Sequence, residues 1–261
     1  MLHYRRFLFA IYSFTLLSLV FFGNGTGVYA YPIEYDFCLQ IMSVSMQPTL
    51  EANDIVYIKN VTGLSEIYAS PVNGDIIVFR SPYQPQVFII HRAIEKFQQD
   101  SVWYFIAKGD NNPIADSPIS ENYVVGKVVA LVRVLQVGSY NVTIFSNSAF
   151  VDFHLNPTIN ALEFNVTMLL TQSAPNSFIN ITIPNGIVTG ELSLLIDGSS
   201  IHFEHSTNTT HHFVWFELEE TSYISDIVLP EFPSFIILPL SMIATSLAVI
   251  VYKRKHTVRQ I

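Results

Sequence analysis

Short runs of alternating apolar and polar residues follow one another through the middle of the chain. NDIVYIK (53–59), DIIVFR (75–80), QVFIIHRAI (86–94) and SVWYFIA (101–107) each fit a strand, whose successive side chains point to opposite faces. YVVGKVVALVRVL (123–135) is longer and β-branched, and reads as one long strand or a strand pair. Turn-forming clusters separate these runs: SPVNGD (70–75), SPYQP (81–85) and GDNNPIADSP (109–118). The stretch has no convincing amphipathic helix. The pattern predicts a mostly antiparallel β domain over residues 36–138.

From about residue 140 charged residues thin out and Asn, Thr and Ser rise. Strand-like runs recur at 159–170, 178–184, 187–197, 200–204 and 211–218, with PNG (184–186) and IDGSS (196–200) as turns. Short strands at this spacing predict a small β-sandwich over 148–228. LPEFPS (229–234) is a stiff, proline-rich junction beyond it.

Both ends are apolar without alternation. Residues 7–22 contain no charge and follow Arg5 and Arg6; residues 235–252 contain none and precede Lys253, Arg254 and Lys255. Each run is near the length that crosses a bilayer. This predicts a transmembrane anchor within 1–24, a second span at 235–252 and a basic tail at 253–261. Basic residues lie on the terminal side of both spans, so the positive-inside rule puts both termini in the cytoplasm and the intervening region outside. A cleaved signal peptide ending near VYA (28–30) is the other reading of the first run, and gives the same outward placement. Six Asn-x-Ser/Thr sequons, at Asn24, Asn60, Asn141, Asn165, Asn180 and Asn208, all lie between the spans.

Composition supports a membrane-attached chain with water-facing domains. Of 261 residues, 50% are hydrophobic and 13% charged, with a mean hydropathy of +0.36. A formal net charge of −8 and no long basic tract argue against nucleic-acid binding. The single cysteine, Cys38, excludes an internal disulfide and a cysteine zinc site.

Four polar residues stand out in the first β domain. Ser45 follows an apolar run, His91 ends VFII within a strand, and Asp110 and Asp116 share one loop. A hydroxyl, an imidazole and a carboxylate are the set that nucleophilic acyl transfer needs: the base takes the hydroxyl proton and the carboxylate orients the base. Taken singly, each has a structural reading: a turn serine, a satisfied core histidine and a loop held for its backbone geometry.

The wording and order of four segments add to this. SVSMQPTL (43–50), GDIIVFR (74–80), IIHRAI (89–94) and KGDNNPIAD (108–116) resemble, in order, the serine box and the following boxes of the type I signal peptidases. The histidine makes the chain similar to the archaeal and endoplasmic-reticulum branch. The resemblance covers about residues 5–135. It implies a signal-peptidase-like antiparallel β fold, a serine endopeptidase without cofactor or metal, Ser45 as nucleophile and His91 as base. It implies Asp116 as the orienting carboxylate and Asp110 as a supporting one, the two roles being open to exchange. It also implies an oxyanion hole from the Ser45 N–H and the Ser43 hydroxyl. Its substrates are signal-peptide-bearing preproteins, its setting the plasma membrane, and the Sec translocon a candidate partner. Two departures stand in the serine box: Val44 replaces the usual glycine and Gln47 the usual glutamate. Met46 is open to two readings, lipid contact or core packing.

In the second half, His202, His205, His211, His212 and Glu204 could suggest a metal, but match no metal motif and better fit exposed strand positions. The ending is similar to C-terminal anchors of archaeal surface proteins, which implies an archaeal membrane protein. A non-catalytic surface protein, with a retired peptidase domain and a binding sandwich, is the rival reading.

Overall fold

The computed structural model describes residues 33–62, 66–156, 161–171, 176–188, 192–196, 199–218 and 225–228. Both expected spans, the basic tail, the LPEFPS junction and Asn24 lie outside these residues. Among the described residues the chain is almost wholly β, with a 3-10 turn at Glu121–Tyr123, and no helix is long and apolar enough to cross a membrane.

The first half forms β1 (Phe37–Gln40), β2 (Ile55–Asn60), β3 (Ile76–Arg80), β4 (Phe88–Gln99), β5 (Val102–Lys108), β6 (Ile119–Ser120) and β7 (Val124–Val137). Each alternating run read from the sequence is a strand here, and 123–135 is one long strand. The second half adds β8 (Tyr140–Ser146), β9 (Ser148–Asn156), β10 (Ala161–Leu169), β11 (Ser177–Pro184), β12 (Ser193–Ile196), β13 (Ser199–Ser200), β14 (Glu204–Thr207), β15 (His211–Leu218) and β16 (Ser225–Val228).

One large sheet runs β14-β15-β11-β8-β7-β3-β4-β5-β6, with β2 also paired to β7 and β1 paired to β2. A smaller sheet runs β13-β12-β16-β10-β9. Every pairing is antiparallel. β7 joins the halves. Gly126 and Lys127 pair with β3 and β2, and Leu131 and Val132 pair with β2 and β8. A residue has one partner on each edge of its strand, so β3 and β8 share one edge of β7 in succession and β2 takes the other. Residues 126–133 of β7 are all buried, which fits the apolar run 128–132, while the buried charges at its two ends, Lys127 and Arg133, are paired with Asp75 and Asp54.

Two cores flank β3. Ile76 and Val78 face a large core that also holds Met46 and Leu50, Val128 and Leu131, and Phe150, Leu162, Phe164 and Phe216 from the second half. Ile77 and Phe79 face a smaller core with Ala93, Phe105, Ala107 and Ile119. Each fully buried large apolar side chain contributes about 1.5–3 kcal/mol. Met46 is only 2% exposed and packs in the larger core rather than at the surface.

Candidate active site

The Ser45 segment is a tight turn. The Gln47 N–H donates to the Val44 carbonyl at 3.2 Å and the Leu50 N–H to the Met46 carbonyl at 3.0 Å. Buried Met46 and Leu50 anchor one side of this turn in the large core and leave Ser43 and Val44 facing solvent. Val44 is 53% exposed, and it is not among the described non-glycine residues with positive φ, which are Asn53, Asp100, Ser101 and Asp152. A conformation that needs glycine is therefore not required at position 44.

His91 lies in the first third of β4 opposite Ile77 of β3, its ring 6.3 Å from that of Phe79. It is 7% exposed. Its Nδ1 lies 2.6 Å from Asp116 Oδ2 and its Nε2 lies 3.2 Å from Ser45 Oγ. The carboxylate at Nδ1 favours the tautomer that carries its proton there, leaving Nε2 free to accept the Ser45 hydroxyl. Ser43 Oγ is 3.2 Å from Ser45 Oγ. Among the described residues the Ser45 N–H donates no backbone hydrogen bond. Asp116 is placed by its own N–H, which donates to the Ala107 carbonyl at 2.8 Å and ties the loop back to β5.

Asp110 is elsewhere engaged. It accepts from Arg92 Nε at 2.9 Å and Nη2 at 2.6 Å, and from the Thr49 hydroxyl at 2.5 Å. Arg92 Nη1 donates to the Gly74 carbonyl at 2.8 Å. Arg92 follows His91 directly, so the two side chains leave β4 on opposite faces. Asp110 thus holds the loop to the sheet from behind while Asp116 meets the imidazole in front. A cavity of about 270 Å³, lined in part by Val72, Ile94 and Lys108, opens on the Arg92 side.

Asn111, Gly109 and Thr49 also build the site, although no local pattern marks them as functional. The Asn111 N–H donates to the Ser45 carbonyl at 2.9 Å and its Nδ2 to the Val44 carbonyl at 3.1 Å. A Cβ on Gly109 would stand 2.5 Å from the Ser45 carbonyl oxygen. The signal for these residues was their place inside the quoted segments; their partners, some sixty residues away in sequence, carried none.

The histidines of the second half do not converge. His205 Nε2 and His212 Nδ1 are 3.0 Å apart with nearly parallel rings, and His202 reaches Glu204 at 3.7 Å on the surface. Burial lowers the pKa of both His205 and His212, and the His205 charge lowers that of His212 further. No cluster of three or more metal-ligating side chains occurs among the described residues.

These features define an antiparallel β protein in which distant segments bring a serine hydroxyl, an imidazole and a carboxylate into one hydrogen-bonded row. Comparison with known proteins narrows the class. The chain is 35% identical over 98 residues to the signal peptidase complex catalytic subunit sec11 of Schizosaccharomyces pombe, covering 32% of this chain and 51% of that protein. It is 26% identical over 118 residues to signal peptidase I W of Bacillus subtilis, covering 45% of this chain and 56% of that one. It is 36% identical over 73 residues to an uncharacterized protein of Methanocaldococcus jannaschii, covering 28% and 36%. No family model matches, and no solved structure matches significantly. Over part of its length the chain is similar to type I signal peptidases, and it spans about half the length of the two named peptidases it matches.

Proposed function

We propose that the protein is a membrane-bound serine endopeptidase that removes signal peptides from exported preproteins. The observation that carries this is the row Ser45–His91–Asp116, at 3.2 and 2.6 Å, beside a Ser45 N–H that donates to no backbone carbonyl among the described residues. His91 takes the Ser45 proton as Oγ attacks the scissile carbonyl, and Asp116 stabilises the imidazolium that forms. The Ser45 N–H and the Ser43 hydroxyl receive the developing oxyanion. The imidazolium then protonates the leaving amine, and a water activated by the same imidazole hydrolyses the acyl-enzyme. Ser45 at 3.2 Å is within the reach expected of a base and its nucleophile.

In this reading residues 36–138 form the catalytic unit and 148–228 a β-sandwich after it. Spans at 1–24 and 235–252 hold both outside the plasma membrane, with both termini cytoplasmic. Asp110 and Arg92 support the loop, and the Sec translocon is the natural source of substrate. The test incubates the purified full chain in detergent with a preprotein, beside Ser45→Ala and His91→Ala variants. Cleavage by the wild type alone is expected. Equal cleavage by Ser45→Ala, or none by the wild type, would sink the reading.

A further inference from the structure

The loop that carries Ser45 is closed at its base. The Ile41 N–H donates to the Asp54 carbonyl and the Asn53 N–H to the Ile41 carbonyl, each at 2.8 Å. Residues 41–54 therefore leave the sheet and return to it at one point. At that point stands a buried ion pair. Arg133 of β7 donates from Nε to Asp54 Oδ1 at 2.9 Å and from Nη2 to Asp54 Oδ2 at 2.7 Å. Both side chains are buried, at 9% and 2% exposure. Asp54 Oδ2 also accepts the Glu51 N–H at 2.8 Å.

The same guanidinium makes two further contacts. Nη2 reaches the Thr49 carbonyl at 3.3 Å, within the Ser45 loop. Nη1 donates to the Phe150 carbonyl of β9 at 2.6 Å, and the group lies 4.6 Å from the centre of the Phe150 ring. Thr49 is thereby gripped twice: its carbonyl faces Arg133, while its hydroxyl donates to Asp110. Apolar packing runs the same way, since Ile41, Met46 and Leu50 share one core with Phe150, Leu162 and Phe164.

We infer that Arg133 is a positioning residue that fastens the nucleophile loop to β9, and that the second half of the chain is the support of the catalytic turn. Four of the five guanidinium hydrogen-bond vectors are used on three residues in two separate segments, the 41–54 loop and β9, a fork that a lysine ammonium cannot reproduce. The inference rests on Ser45 being the nucleophile, and goes beyond it in giving the second half a part in the same reaction.

The test compares wild type with Arg133→Lys and with the double variant Arg133→Met/Asp54→Leu, all as full chains in detergent. The double variant removes both buried charges together, a change that folded proteins tolerate better than loss of one partner. Two readouts are taken: kcat and KM on a preprotein, and amide exchange at Leu50 and Asn111, which bond to the turn at Met46 and Ser45. Displacement of a reacting group by about 1 Å costs about 10²-fold in rate. The expected result is a kcat loss of that order with KM near wild type. Faster exchange at Leu50 and Asn111 should accompany it, with the Ala93 amide on Asp75 unchanged. Wild-type kcat in either variant, or exchange raised uniformly over all amides, would overturn the inference. A wild type that cleaves nothing would defeat the peptidase reading, while the exchange data still decide whether Arg133 holds the loop.

Discussion

Ser45, His91 and Asp116 come from three segments, and each owes its position to a neighbour that does no chemistry. Asn111 holds the carbonyls of Val44 and Ser45, and Gly109 lets the loop approach the Ser45 backbone closely. Gly109→Ala forces a Cβ against a backbone oxygen, a contact that cannot be relieved by a side-chain rotation. It should lower cleavage strongly while destabilising the fold by about 1–3 kcal/mol, as a cleavage assay beside a melting curve will show. Asp116→Asn should cost on the order of 10⁴-fold in kcat by favouring the wrong tautomer. Asp110→Asn leaves Nδ1 of His91 with its carboxylate and should act through loop stability instead, so the two variants separate in kcat and in melting temperature. Ser43→Ala should slow cleavage by about 10²–10³-fold without abolishing it. Cys38 plays no part in this chemistry. Burial pushes its thiol up to about 11, so at pH 8 it should react with iodoacetamide far more slowly than free cysteine does.

At the scale of elements, β7 and the β14–β15 hairpin behave differently. β7 is buried along residues 126–133 and paired on both edges, whereas β14 and β15 carry the partly exposed His205–His212 contact. Both imidazoles have pKa values below the ordinary 6.5 in the folded state, because burial disfavours their charged forms. The unfolded chain therefore binds more protons than the folded one as pH falls below 6.5, and stability drops through that window toward the lowered values. Melting temperature should fall between pH 7.5 and 5.5 by more in wild type than in a His205→Gln variant. The apolar runs exposed these strands in the sequence: β2 and β5 have one face in a core, and β3 and β4 lie between the two cores. β8 (YNVTIFS) and β9 (SAFVDFHLN) fell in the polar shift after residue 140 and were not singled out. The run 187–197 read as one strand, yet the strand is Ser193–Ile196, with Ile187 and Val188 buried ahead of it.

For the molecule as a whole, the local β pattern was legible and the long-range pairing was not. Nothing in the sequence says that β8 pairs with β11, or that Arg133 and Asp54, 79 residues apart, form one buried pair. Each residue type fits its local run, and the partner appears only when the two sheets close around one core. The site was legible because its four segments resemble a known family in wording and order. The supports at Asn111, Thr49 and Arg133 were not, because each meets partners some sixty to eighty residues away in sequence. The central claim is that Ser45, activated by His91, attacks a peptide carbonyl. The most direct measurement treats the full chain with a peptidyl fluorophosphonate bearing small residues at the last and third-last positions, and maps the adduct by tandem mass spectrometry. The account predicts a single phosphonyl adduct on Ser45, lost in both Ser45→Ala and His91→Ala. An adduct on another residue, or undiminished labelling of Ser45 in His91→Ala, would contradict it.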